Sequence, residues 1–222
     1  MRVMRHLPDT RLLASRHRLI ESVPVLLKRL APGKTPFVVC DEHTWDAAGS
    51  RLQEILAAAG APRPAQPLKL TSPEDDYKFA EKVAVSISAA GTNPEDVIPL
   101  AVGSGTITDV VRLGSFLAGI RFISIPTAPS MDGYASAGSP VMKDGFKKTI
   151  QCRGPLAVLT DLDIAAGAPR HLAAAGTGDL LGKITAGADW LTAHRLGLEP
   201  VDRGVFTFVQ KPVRGLIKYL LR

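Results

Sequence analysis

The sequence predicts an α/β protein: a Rossmann-like parallel sheet flanked by helices, followed by the start of an all-helical second domain. Three observations lead there. Short, wholly apolar runs alternate with segments of helical spacing from Pro36 to Ile125. The helical segments stop at glycines, Gly60, Gly91 and Gly119. After Pro169 the pattern turns helical and stays so. Strand–helix alternation with apolar strands is the signature of a parallel sheet covered on both faces.

Each element has a local reason. The basic stretch before residue 30, interrupted by Asp9, Glu21 and two prolines, reads as plain helical surface and not as a targeting segment. Pro36–Asp41 is a buried strand ending in a carboxylate. Residues 44–59 place Trp45, Ala48, Leu52, Ile55 and Leu56 at helical spacing. Leu68–Leu70 is a second short strand. Ser72-Pro73-Glu74-Asp75 supplies a cap, a first-turn proline and acids for a helix running to Ala90. Val97–Val102 is the third strand, 106–117 a helix, and Ile120–Ile125 the fourth strand. Asp144-Gly145 is a hairpin turn between 136–142 and 147–151. Leu156–Asp161 is a last strand, and residues 173–196 form a helix stopped by Gly197. The domains are therefore expected at 1–165 and 166–222, with a divergent stretch over 200–222.

Composition narrows the function classes. The net charge is +6, but only 5% of residues are aromatic, which argues against a stacking platform for nucleic acid. Two unpaired cysteines, Cys40 and Cys152, fit a reduced cytoplasmic setting. Arg214, Lys218 and Arg222 recur at helical spacing opposite Leu216, Ile217, Leu220 and Leu221. A packing helix explains them better than contact with an anionic membrane.

The chemistry sits in loops. Gly103-Ser104-Gly105-Thr106 follows an apolar strand and opens a helix. Such a turn lets backbone N–H groups and a helix dipole meet a pyrophosphate. It is not a full G-x-G-x-x-G, because Thr108 holds the third glycine position. Between Pro126 and Ser136 come Thr127, Ser130, Asp132, Tyr134 and Ser136, a polar set that suits a binding site. Asp41, at its strand end, either bonds a ribose or caps the following helix. Asp179 sits in Gly178-Asp-Leu-Leu-Gly-Lys183 as a lone carboxylate at a helix start, too little by itself for a metal. The five histidines show no metal spacing and read as surface or satisfied side chains.

These residues carry a resemblance. Gly103–Asp109, the run Ile125-Pro-Thr-Ala-Pro-Ser-Met-Asp-Gly-Tyr-Ala-Ser136, Gly145–Thr149, Gly178–Lys183 and Ala188-Asp-Trp190 are similar to sn-glycerol-1-phosphate dehydrogenases. Those enzymes group with glycerol dehydrogenase, iron-containing alcohol dehydrogenase and 3-dehydroquinate synthase. The resemblance runs from about 35 to 198. It implies NAD or NADP bound by Gly105, Thr106, Ile107, Thr108, Asp109, Thr127, Ala128, Pro129, Ser130 and Ser136, alongside Gly103, Ser104 and Asp41 from the loop reading. It implies that Asp132 contacts a phosphorylated triose or glycerol substrate, and that Asp179 serves both substrate and zinc. Asp132 and Asp179 are then the catalytic pair. The match fades near Glu199, so the chain reads as C-terminally truncated, with one of three expected zinc ligands and a tail of the kind a frameshift leaves. A self-associating open face is a further expectation. The alternatives are a non-catalytic nucleotide-binding remnant or partner subunit, and a dehydroquinate synthase-like lyase. The Met131–Ser136 sequence speaks against the last.

Overall fold

The computed structural model describes residues 9–60 and 62–220. Residues 1–8 of the basic N-terminal stretch, and Leu221 and Arg222 of the C-terminal basic segment, lie outside the described residues. The described chain forms two compact units: residues up to Pro129 with Gly133–Pro169, and Ser130–Asp132 with Arg170 onward.

The first unit is a six-stranded sheet. Its strands are β1 (Leu12–Arg16), β2 (Thr35–Asp41), β3 (Leu68–Leu70), β4 (Val97–Gly103), β5 (Ile123–Pro126) and β8 (Ala157–Asp161). They lie in the order β1-β8-β5-β4-β2-β3, and every pairing is parallel. Central strands show why the sequence reads as it does. Val38 and Cys40 of β2, with Ile98, Leu100 and Val102 of β4, bury on one face beside α1 (Val23–Leu30) and α3 (Ser50–Ala58), which follows the single turn α2 (Glu42–Thr44). Phe37 and Val39, with Val97 and Ala101, bury on the other beside α4 (Tyr77–Ala89) and α5 (Gly105–Leu117). Residues pointing both ways are apolar, so no polar alternation survives in either strand.

The order of strands creates a particular place. The chain leaves β2 for its neighbour β3, then crosses back to β4 on the other side of β2 and continues outward to β5. Covering helices change face at the same point. Ligands of open parallel sheets bind at the carboxyl ends of strands where the order reverses. Here those ends are Asp41 of β2 and Gly103 of β4, in strands paired through Val39 and Ala101.

Several sequence expectations change. The N-terminal stretch holds a strand ahead of its helix α1: β1 pairs with β8 from Leu12–Ala157 to Arg16–Asp161. Its connection is fixed by buried Asp161, the cap of α6 (Leu162–Ala166), which accepts from Ile20 N at 2.9 Å and from Asp163 N at 3.0 Å. The helix expected from Ser72 begins at Tyr77, with Asp76 as its cap accepting from Lys78 N at 2.8 Å. Asp75 explains the delay. Its carbonyl accepts from Met142 N at 2.6 Å, which holds residues 75–76 extended against the hairpin. The fourth strand is trimmed to Ile123–Pro126.

The hairpin joins β6 (Gly138–Lys143) to antiparallel β7 (Phe146–Gln151). Asp144 and Gly145 have φ of 56° and 79°, the two left-handed residues that a type I′ turn demands.

In the second unit, α7 (Arg170–Arg195) and α8 (Arg203–Leu220) pack on each other. Gly187 gives the close approach, since a Cβ there would collide with Gln210 Nε2. Gln210 donates to Lys183 O at 2.6 Å, and the Trp190 and Phe206 rings lie 6.4 Å apart. Gly197 ends the segment after α7 with φ 71°. The helix α8 starts earlier than a segment near Arg214, at Arg203, where Asp202 caps it by accepting from Gly204 and Val205 N–H, and it runs on through Pro212. Among the described residues no helix is long and apolar enough to cross a membrane.

Candidate functional site

The turn after β4 sits where the switch point predicts a ligand. Helix α5 begins at Gly105, its N-cap Ser104 makes no side-chain cap, and its first turn holds no acid. Its leading N–H groups therefore keep an unneutralised dipole end with no intrahelical acceptors. Ser104, Gly105 and Thr106 are partly exposed, while Gly103 is buried. Only glycine fits at 103: a Cβ would lie 2.5 Å from Ile107 Cβ.

The neighbouring strand supplies the second wall. β5 pairs with β4 up to Gly103–Pro126, and Thr127 N donates to Gly103 O at 3.2 Å. Thus the Gly103–Thr106 turn and the Thr127–Pro129 segment adjoin. Thr127 and Ala128 are buried, and Pro129 is exposed. Tyr134 donates its hydroxyl to Ala128 O at 2.5 Å and so ties the later part of the loop to that segment. Ser136 is exposed, and its Oγ accepts from Gly138 N at 3.0 Å.

Three residues of the cofactor reading are turned inward. Ile107, Thr108 and Asp109 are buried, and Thr108 N is already bonded to Ser104 O at 3.1 Å. Asp109 pairs with Arg112, itself 1% exposed. Burial pushes the Asp109 carboxyl up to about 6, against the pull of Arg112, and nearby Asp75 adds to the rise. The same burial lowers the Arg112 guanidinium, which Asp109 offsets.

Asp41 takes the capping alternative. Its Oδ1 accepts from Thr44 N at 2.7 Å and lies 2.9 Å from Thr44 Oγ1, which in turn accepts from Asp41 N at 2.9 Å. Any ribose contact has to share this carboxylate with the cap.

Within the second unit, Asp132 N donates to Asp179 Oδ2 at 2.8 Å, and Lys183 Nζ lies 3.0 Å from Asp132 Oδ2. Asp132 and Asp179 are thus brought together and balanced by a lysine that sequence reading left out. Lys183 stands one helical turn beyond Asp179, a spacing that was available as a signal. Asp179 does not start a helix: α7 runs unbroken from Arg170 through Gly178. Both aspartates are exposed. Zinc does not fit the donors present. No group of three or more His, Cys, Asp or Glu among the described residues is placed to hold a metal ion, and one Asp179 oxygen is engaged by an amide. His194 Nδ1 accepts from Val201 N at 3.3 Å, and His17 Nδ1 pairs with Asp163 at 2.7 Å, in keeping with satisfied histidines.

The glycerol-1-phosphate dehydrogenase [NAD(P)+] of Bacillus velezensis is 42% identical over 168 residues, covering 74% of this chain and 41% of that protein. The Pyrococcus horikoshii enzyme of the same name is 36% identical over 178 residues, 80% of this chain and 49% of its own length. The chain spans less than half the length of these relatives. A probable glycerol dehydrogenase from Sinorhizobium meliloti superposes with a TM-score of 0.64 at 24% identity, over 78% of this chain and 44% of that one. A sulfoacetaldehyde reductase from Bifidobacterium kashiwanohense in complex with NAD+ gives 0.68 at 14% identity, over 82% and 52%. These two show the shared Rossmann-like fold. The iron-containing alcohol dehydrogenase model matches residues 15–169, most of the chain, and the chain belongs to that family.

Proposed function

We propose that this chain carries the dinucleotide site of an NAD(P)-dependent oxidoreductase that interconverts dihydroxyacetone phosphate and sn-glycerol 1-phosphate. The observation that carries the reading is the uncapped start of α5 at the switch point, directly beside Thr127. There the amides after Gly103 and the Thr106 hydroxyl receive the pyrophosphate. Thr127–Ser130 and Ser136 hold the nicotinamide end. The names of the relatives support both the cofactor class and the substrate.

Asp132 and Asp179 are the proposed substrate contacts, with Lys183 holding Asp132 in place. Because the described donors do not assemble a metal centre, no step of this reading passes through zinc. The chain's own residues bind and orient a dinucleotide, and we infer that the 222-residue protein is catalytically impaired by itself. A non-catalytic nucleotide-binding role is the second reading, favoured by that incomplete donor set.

Titration of the purified chain with NADH and NADPH, followed by fluorescence and calorimetry, tests the site. Saturable binding is expected. Absence of binding at millimolar cofactor overturns the dinucleotide reading. Assay with dihydroxyacetone phosphate, with and without added zinc, separates the two roles. Turnover at background is expected, and zinc-dependent turnover would contradict the inferred impairment.

A further inference from the structure

Three carbonyls in the stretch after β5 turn toward a single side chain. Arg112, two turns into α5, donates through Nη1 to Asp109 Oδ1 and to Gly138 O at 3.0 Å. Through Nη2 it donates to Gly133 O at 2.9 Å and to Tyr134 O at 3.4 Å. It is among the largest fully buried side chains of the chain. Burying a guanidinium in an otherwise apolar helix stretch, between Val111 and Leu113, is costly unless its donors are used. Here Nη1 and Nη2 are used mainly on backbone carbonyls, of which Gly138 O also takes a longer bond from Ser136 Oγ at 3.3 Å, while Nε has no partner among the described residues. Ser139 adds to the anchorage by donating to Asp109 O at 2.9 Å.

This cluster leads to the lip of the nucleotide site. Gly133 O, held by Arg112, also accepts from Ser136 N at 3.0 Å. Tyr134, whose carbonyl faces the same guanidinium, extends its hydroxyl to Ala128 O. Ala128 follows Thr127, whose amide is bonded to Gly103 O. The path is continuous: α5 to Arg112, to the 133–138 segment, to Tyr134, to 127–128, and back to the turn that opens α5.

We propose that Arg112 is the positioning residue of the dinucleotide site, locking the segment 133–138 onto α5 so that Thr127–Ala128 and Ser136 stand ready beside the Gly103–Thr106 turn. The proposal rests on the dinucleotide reading above. Lysine cannot replace arginine here. It keeps the charge that pairs with Asp109, but it lacks the planar fork that reaches several carbonyls at once.

Two variants test this without leaving a buried charge alone. Arg112→Lys preserves the pair with Asp109. The double variant Asp109→Leu with Arg112→Met replaces the pair by apolar side chains, an exchange that buried ion pairs often tolerate. Each is measured for NADH affinity, for thermal midpoint and for hydrogen exchange at the Ser136, Gly138 and Cys152 amides. These amides bond to Gly133 O, Ser136 Oγ and Ala137 O. Expected are faster exchange at those amides, NADH affinity reduced ten-fold or more, and unchanged exchange in β2, β4 and β5. A folded Arg112→Lys protein with wild-type affinity and wild-type exchange overturns the proposal, as does a double variant with both properties. Should the wild-type chain bind no dinucleotide, the function reading falls, and the exchange data alone decide. Faster exchange at the three amides then upholds the locking role, and unaltered exchange removes it. Should either variant unfold, the other variant decides.

Discussion

Replacing Arg112 with alanine is expected to lower the unfolding free energy by about 3–5 kcal/mol, the usual cost of removing one partner of a buried ion pair. Two penalties act together. Asp109, 6% exposed, is left as a carboxylate with no cation beside it. The carbonyls of Gly133, Tyr134 and Gly138 each lose a donor, though Gly133 O keeps Ser136 N and Gly138 O keeps Ser136 Oγ. Burial already lifts the Asp109 carboxyl to about 6, so the variant protein is expected to relieve part of the cost by taking up a proton. Urea unfolding of Arg112→Ala and wild type at pH 7 measures the difference. A loss below about 1 kcal/mol would mean that the guanidinium contributes no more than a surface charge.

Valine at position 103 is expected to abolish dinucleotide binding, with a stability loss of about 1–3 kcal/mol from overpacking. The first atom added to Gly103 would meet Ile107 Cβ at 2.5 Å, Cγ1 at 2.7 Å and Cγ2 at 2.9 Å. Ile107 lies in the first turn of α5, and its Cβ is part of a branch with no free torsion to move it away. The helix start has to shift instead. Gly103 O is also the acceptor for Thr127 N, so the displacement reaches both walls of the site at once. A calorimetric titration with NADH measures the effect. Wild-type affinity in Gly103→Val would show that no ligand depends on this turn.

The sheet was legible because its central strands bury both faces. Val38 with Cys40 and Phe37 with Val39 leave no polar alternation, and continuous apolar runs between helices have few other readings. The Asp144-Gly145 turn was legible for a similarly local reason, the backbone angles that this pair tolerates. β1 was not, because a five-residue edge strand containing Ser15 and Arg16 gains its identity only from β8. The start of α4 depends equally on a distant partner. Ser72 offers a good local cap, but Met142 claims the Asp75 carbonyl and Asp76 takes the capping position.

The candidate site divides in the same way. The glycine turn and the Pro126–Ser136 loop announced themselves by residue type. Asp41 leaves two roles open by sequence, and in the fold it caps the helix through Thr44 N. Arg112 went unnoticed, although a charge between Val111 and Leu113, three residues after Asp109, breaks an apolar helix pattern. Its partners are backbone carbonyls far along the chain, and carbonyls leave no mark in an amino-acid sequence. The Lys183–Asp132 pair was hidden for a related reason, since Asp132 reaches α7 only through tertiary folding.

The most direct measurement is a titration of the isotope-labelled chain with NADH, followed residue by residue through amide resonances. Movement of the Ser104–Ile107 and Thr127–Ala128 amides along one common binding curve is the expected result. Cofactor binding that shifts only one of these segments, or neither, would contradict a shared grip at the reversal point of the sheet.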